Sequence, residues 1–525
     1  MVATTLPTND WEETAANKVA EVIASIPTEW IIPASLVPSK TTTNVSTFVA
    51  QSGMFTAHEV EITASSAVKI ASKVAAQEWT AEEVTTAFCK SAAVSHQLVN
   101  CLTATLFPEA IAAAIALDEA FARTGKVVGP LHGVPISLKD NINIKGIPTT
   151  VGFVCWANEK SEKNSFIVDL LRELGAVVYV KTNVPTAMMM AETVNNIFGR
   201  TVNPLNRNLT PGGSSGGESA LIAAYGSPLG VGTDVGGSLR IPASTTGLFT
   251  IRPSYGRLPN FDFRAGIAGQ EGILSVQGPI ARTLEDVILY SKSVIDTEPW
   301  FKDPKLHPIP WRTINLPQKL KFAVMWNDGF VDLTPPVKRA LQVTVEKLRS
   351  AGHEIGSLFC ADGGNTIRQL IEAGKEPWPK FLSTFANSKA ISTYEMWQLI
   401  RERNIIMGET MDQWNSITGL DGIIMASAPY ISTPHEKFTH AGYTGIWNLL
   451  DYPAAVFPCG VVADATIDIK QDCSVPGLNK LDEETRGAYD PSAVDGMPVG
   501  LQVIGRRLQE EKVLAMVARV LEAVN

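Results

Sequence analysis

The sequence predicts an α/β fold: a large, mostly parallel or mixed β-sheet covered by helices. Three observations carry that prediction. After Gly125, short apolar runs alternate with segments of helical period. The run LKFAVMWND is followed by PPVKRALQVTVEKLRSAG and then HEIGSL, which reads as strand, helix and returning strand. The alanine-rich segment Pro108–Thr124 carries a single apolar stripe, the pattern of a helix laid on a sheet.

The elements follow in order. Asn9 or Asp10 caps a helix that runs to about Ile26, where Pro27 stops it. Ile32 to Thr47 is rich in Pro, Ser and Thr and reads as a surface loop. Helices are expected over Ala64–Ala76, Thr80–Ser95 and Pro108–Thr124. Val134–Asp140 reads as a strand ending in charge. SFIVDLLREL reads as a helix stopped at Gly175, and Ala176–Val180 as a strand. Leu284–Ile295 is an amphipathic helix. Asp421–Pro429 and Val499–Arg506 are strands, and EEKVLAMVARVLEAV closes the chain as a helix. Residues 1–60 are expected to form an N-terminal helical extension packed on the core, and residues 61–525 the catalytic domain.

Composition narrows the function. Of 525 residues, 45% are apolar and 18% charged, an ordinary globular balance. The net charge of −9, without a basic run, argues against nucleic acid or an anionic membrane as partner. No stretch is long and apolar enough to span a membrane. The start, MVATTLPTNDWEETAANK, lacks the apolar core of a signal peptide, so a cytoplasmic protein is expected. The six cysteines form no CxxC pair, and neither HExxH nor zinc-ligand spacing occurs; no metal or cofactor is expected.

The chemistry centres on PGGSSGGESA, Pro211–Ala220. Gly212–Gly216 fits G-x-S-x-G, the nucleophile elbow. An elbow needs a strand directly before it, and Thr201–Pro211 carries Pro204, Pro211 and three asparagines instead. Of the later histidines His307, His353, His435 and His440, the first three sit beside Pro, Gly or Glu in loop-like sequence. A phosphate loop would need a GK[ST] ending, which is missing. A second Gly-Gly-Ser follows in GVGTDVGGSLRIPA, Gly230–Ala243. There the amides of Val235, Gly236, Gly237 and Ser238 can turn inward together as an oxyanion hole. One such donor is worth about 3–4 kcal/mol to a tetrahedral intermediate. A base is available in GPLHGVPISLKDNINIKG, where Lys139 ends an apolar strand. A buried lysine among uncharged neighbours has a lowered pKa, and Ser-Lys catalysis replaces Ser-His-Asp in some hydrolases. His132 in the same stretch reads as structural.

Together with KTNVP (Lys181–Pro185), ETVNNIFGRTVNP (Glu192–Pro204) and GMPVGLQVIGRR (Gly496–Arg507), these segments resemble the amidase signature family. NDWEETAANK, IPTEW and EPWFKDP look like fungal acetamidases over nearly the whole chain, and fatty-acid amide hydrolase is similar through the signature region. The resemblance implies one α/β/α domain, a large mixed sheet with helices on both faces. It implies a triad in which Ser238 is the nucleophile, Ser214, after a cis peptide bond, the relay, and Lys139 the general base. Ser215 would then support the site by hydrogen bonding, and Thr233, Asp234 and Arg240 would fix the nucleophile loop. By position, Met188, Phe261–Gln270 and Tyr443–Leu450, including Trp447, are candidates for the substrate pocket. The implied activity is hydrolysis of a small-molecule amide, with a homodimer suggested. Fatty-acid or aryl amide and ester hydrolysis, and a tRNA amidotransferase A-type subunit, remain as alternatives. Leu239 and Ser219 depart mildly from the family pattern, outside the triad.

Overall fold

The computed structural model describes residues 11–357 and 392–524. In chain order the strands are β1 (Leu102–Thr105), β2 (Pro135–Lys139), β3 (Val177–Thr182), β4 (Val194–Asn195), β5 (Gly199–Arg200), β6 (Leu229–Asp234), β7 (Phe249–Arg252), β8 (Val276–Ala281), β9 (Lys321–Met325), β10 (Glu354–Ser357), β11 (Gly422–Ala426), β12 (Ala454–Val462) and β13 (Pro498–Ile504). Eleven of them form one mixed sheet in the order β1-β3-β2-β6-β8-β7-β12-β13-β11-β9-β10, and β4 pairs with β5 alone. β3, β2 and β6 are mutually parallel, as are β11, β9 and β10. The centre and β1 are antiparallel.

Every residue of β2, β3 and β6 is buried. Successive side chains point to opposite faces, so both faces are covered there. That explains why β2 and β3 read as mostly apolar runs up to their terminal polar residues. Helix Gly216–Ala223 packs on β2, β3, β6 and β8, and helix Arg240–Thr246 on β7, β12 and β13. The βαβ unit read from the sequence is present: helix Pro335–Ser350 joins β9 to β10, which pair in parallel.

Several boundaries differ from expectation. The helix expected over Ala64–Ala76 is broken. Ala57–Ala64 ends before two serines, and Ser66 restarts the chain as Ala67–Ala75 by accepting the Lys69 amide at 3.1 Å. A serine at that point competes for the backbone and favours a cap over a helix interior. Helix Ala81–Val99 runs past Ser95 to a left-handed Asn100. The proposed cap at Asn9 or Asp10 lies outside the described residues. Strands β6, β8 and β12 were not legible, because Gly and Pro interrupt LGVGTD, VQGPIA and AAVFPCGVV.

The N-terminal residues Val22, Ile26, Trp30, Val45 and Val49 share the main hydrophobic cluster with the sheet. The Val45 amide donates to the Pro204 carbonyl at 2.8 Å, and Arg207 holds the Thr42 carbonyl. This layer therefore braces the segment that leads into the serine loop. No helix among the described residues is long and apolar enough to cross a membrane.

Candidate active site

Lys139 ends β2 and is fully buried. Its Nζ lies 2.8 Å from Ser214 Oγ, 2.8 Å from Thr233 Oγ1 and 3.4 Å from the Thr233 carbonyl. Among the described residues no carboxylate touches it. Burial pulls the Lys139 ammonium down to about 7, against the opposing pull of Asp234, Glu218 and Asp140. A neutral amine at that position has the Ser214 hydroxyl within hydrogen-bond reach.

Ser214 follows a cis Gly213–Ser214 bond, as the family resemblance implied. Ser215 then opens helix Gly216–Ala223. The Ser215 amide donates to the Ser238 carbonyl at 3.2 Å, which seats the two serine loops against each other. The Ser215 hydroxyl lies 3.3 Å from the Thr233 carbonyl and 3.4 Å from the Thr233 amide. Ser215 thus clasps the same residue whose hydroxyl touches Lys139. Ser238 is 9% exposed and Ser214 1%, so the open side of the loop belongs to Ser238. No hydrogen bond joins the Ser214 and Ser238 hydroxyls among the described contacts.

The loop that carries Ser238 is fixed by a buried ion pair. Asp234 Oδ1 accepts from the Gly237 amide at 2.8 Å, Arg240 Nη2 at 3.1 Å and Asn448 Nδ2 at 2.8 Å. Its Oδ2 accepts from Arg240 Nε and the Leu239 amide, both at 3.1 Å. Burial alone would raise the Asp234 pKa, but the Arg240 guanidinium and Asn448 hold the carboxyl far below its ordinary value. Arg240 also donates to the Thr444 carbonyl at 3.0 Å and to Asn448 Oδ1.

This corrects one expectation. Of the four amides expected to face an oxyanion, that of Gly237 is taken by Asp234. Gly237 sits at φ 129, and a Cβ there would stand 2.2 Å from Thr444 Oγ1, so only glycine fits the turn that aims its amide inward. The amides of Val235, Gly236 and Ser238 have no partner in the described structure. Val235 and Gly236 are the partly exposed residues of the loop.

The pocket candidates divide. Met188 is half-buried in a tight turn where Ala187 and Met188 both have positive φ. Two residues on, the Met190 carbonyl packs against Gly213: a Cβ on Gly213 would stand 2.7 Å from it. Phe261–Gln270 is largely exposed and is tied to the residues after β2, the Arg264 amide donating to the Asn141 carbonyl at 3.0 Å. Trp447 lies in the core. Its ring stacks on Tyr452, its indole N–H meets the Met425 sulfur at 3.2 Å, and it is 3% exposed. On helix Gly442–Leu450 the residues facing the nucleophile loop are Thr444 and Asn448, one turn apart. Sequence reading chose the aromatic; the i, i+4 polar pair on an otherwise apolar helix was the signal available.

None of the histidines joins the serines. His435 pairs with Glu192 at 2.9 Å, His440 with Asp328, and His353 accepts the Leu320 amide at 3.0 Å. His132 accepts the Val128 amide at 3.1 Å and packs edge-on against Phe121. A further residue went unremarked in the sequence: Glu218, fully buried on helix Gly216–Ala223, with its carboxyl on Ser137 and Thr182. A lone acid in a helix of small and apolar residues was its signal.

Comparison with known proteins gives a consistent picture. The Amidase family profile matches residues 83–363 and 379–514. An acetamidase of Emericella nidulans is 40% identical over 541 aligned positions, 97% of each chain. An acetamidase of Aspergillus oryzae is 38% identical over 542 positions, covering 97% of this chain and 98% of that one. The structure of a fatty acid amide hydrolase superposes with a TM-score of 0.91 at 32% identity, over 99% of this chain and 96% of the other. A bacterial aryl acylamidase shares the fold, with a TM-score of 0.69 at 20% identity over 87% of this chain and 96% of that one.

Proposed function

The chain belongs to the amidase family, and from that premise we propose that it is a serine amidase that cleaves non-peptide carboxamides to a carboxylate and ammonia or an amine. The observation that carries this reading is the fully buried Lys139, 2.8 Å from Ser214 Oγ with hydroxyl and carbonyl oxygens around it and no carboxylate in contact.

On this reading the steps are these. Neutral Lys139 takes the Ser214 proton as Ser214 takes that of Ser238. Ser238 Oγ attacks the amide carbon, and the carbonyl oxygen gathers negative charge beside the amides of Val235, Gly236 and Ser238. The proton returns through Ser214 to the leaving nitrogen, and the C–N bond breaks. Water then attacks the acyl-enzyme with the same relay, giving the acid and free Ser238. Thr233 orients Lys139, while Asp234 and Arg240 hold the loop and take no proton.

The acetamidase names of relatives near 40% identity favour a short acyl group. The superposition on a fatty acid amide hydrolase keeps long-chain amides as the second reading. Ammonia release across short aliphatic, aromatic and long-chain amides separates the two. Ser238→Ala abolishes turnover on the preferred amide by at least about 10⁴-fold; a variant that keeps near-wild-type turnover removes Ser238 as nucleophile.

A further inference from the structure

Glu218 stands two residues after Gly216, where the helix beyond the paired serines begins, and its carboxyl rests on the strands that carry the base. Oε2 lies 2.6 Å from Thr182 Oγ1 on β3, and Oε1 meets the Ser137 hydroxyl on β2. Gly230 on β6 is the register partner of Ser137 and leaves the room: a Cβ there would stand 1.8 Å from Glu218 Oε1. Ser137 precedes Lys139 by two positions, so both side chains leave β2 on one face. Thr182 is the register partner of Lys139 itself.

The hydroxyls continue beyond the carboxyl. Ser137 Oγ lies 2.9 Å from Ser227 Oγ, and Ser227 Oγ lies 2.9 Å from the Leu229 carbonyl. Each hydroxyl has one proton, so the protons in this chain can be counted. Thr182 donates to Oε2. The Leu229 carbonyl only accepts, so its contact uses the Ser227 proton. The Ser137–Ser227 contact then uses the Ser137 proton. The Glu218–Ser137 contact is filled only by a proton on Glu218. An ionised Glu218 would leave one buried pair of oxygens, Ser137–Ser227 or Ser227–Leu229, facing each other with no proton between them.

We propose that Glu218 is a neutral carboxylic acid locked by the Ser137–Ser227–Leu229 chain, and that its neutrality keeps Lys139 free to accept a proton from Ser214. It is a positioning residue, acting on the reaction through Lys139, and the inference rests on the Ser–Ser–Lys reading above. Burial shifts the carboxyl in the same direction. Burial pushes the Glu218 carboxyl up to about 7, against Ser137, Thr182 and Lys139, which favour its ionised form. The other groups around it are Tyr179 on β3 and Cys101 before β1, both pushed up by burial and so neutral. Arg282 holds the Ile222 and Ser227 carbonyls, and Asp140 and Asp234 act on Lys139.

The test is Ser227→Ala. It removes the acceptor of the Ser137 proton, so Ser137 turns to Glu218 and favours the carboxylate. A negative charge beside Lys139 holds the lysine protonated, and the acid limb of kcat/KM moves up by roughly one pH unit. Adding Glu218→Gln to Ser227→Ala returns the limb to its wild-type position. Infrared spectra of wild type with ¹³C-labelled glutamate show a protonated-carboxyl band at neutral pH that Glu218→Gln and Ser227→Ala both lack. A limb that stays in place in Ser227→Ala, or a wild type without the band, overturns the inference. Turnover surviving in Ser238→Ala would instead overturn the Ser–Ser–Lys reading, and the infrared band would still decide the protonation of Glu218.

Discussion

Two lysines lie side by side in the sheet, and only one has the surroundings of a base. Lys139 ends β2 and pairs in register with Thr182; Lys181, one residue earlier on β3, pairs with Leu138. The two side chains therefore leave the sheet on opposite faces. Both are fully buried, and burial pulls Lys139 down to about 7 and Lys181 to about 8. Their neighbours differ. Lys139 touches the Ser214 hydroxyl, which has a proton to give. Lys181 touches the Pro148 carbonyl at 2.9 Å and Thr149 Oγ1 at 2.8 Å, with the Asp140 carboxylate at 3.7 Å. A carbonyl and a carboxylate only accept, so they hold Lys181 as the cation. Burial lowers the pKa of both, and both touch a hydroxyl and a carbonyl; the Asp140 carboxylate beside Lys181 is the difference.

The contrast is open to direct attack. Its largest expected effect is catalytic: Lys139→Ala lowers kcat by about 10²–10⁴-fold and abolishes the acid limb. In the proposed mechanism the active form is the neutral amine, so the expected rate falls as pH drops through about 7. A Lys139→Ala enzyme with an unchanged pH profile would erase the distinction between the two lysines. Lys181→Met comes next and acts on stability. It strips Asp140 of its cation at the cost of about 3 kcal/mol, read from urea unfolding, while kcat on the plateau above the acid limb is kept. Loss of that plateau in a folded variant would mean that Lys181 also feeds the relay.

Ser215→Ala sharpens the picture on the Lys139 side. Losing the clasp on Thr233 lowers kcat by about 10-fold without moving the limb. Full activity would show that Thr233 is fixed without it. The smallest effect is a slope. The folded chain releases the Lys139 proton near 7, whereas an unfolded lysine keeps its proton to about 10.5. Between those values the unfolded state binds more protons, so wild-type stability rises with pH. Urea midpoints at a series of pH values should show that rise reduced in Lys139→Met. An equal rise in both proteins would mean that the lysine is not buried as described.

The site was legible where one residue type answers one chemical need. Paired glycines around Ser214 and Ser238, and a lysine at the end of PISLK, pointed to the contacts now seen at Lys139 and Ser214. Asp234 and Arg240 were read as loop-fixing partners, and their buried pair has that form. Three features were not legible. The Gly237 amide turned to Asp234, Trp447 turned into the core, and Glu218 found Ser137, Thr182 and the room over Gly230. Each depends on which way a side chain or amide points once helix and strand have met.

The sequence by itself determined the element types along most of the sheet and the chemical inventory of the site. Apolar period, caps and glycine spacing act over a few residues and can be read locally. The tertiary structure alone decided which lysine has a carboxylate beside it and which meets only hydroxyl and carbonyl oxygens. That choice is made by the register of β2 against β3, where a shift of one residue would turn Lys139 to the opposite face.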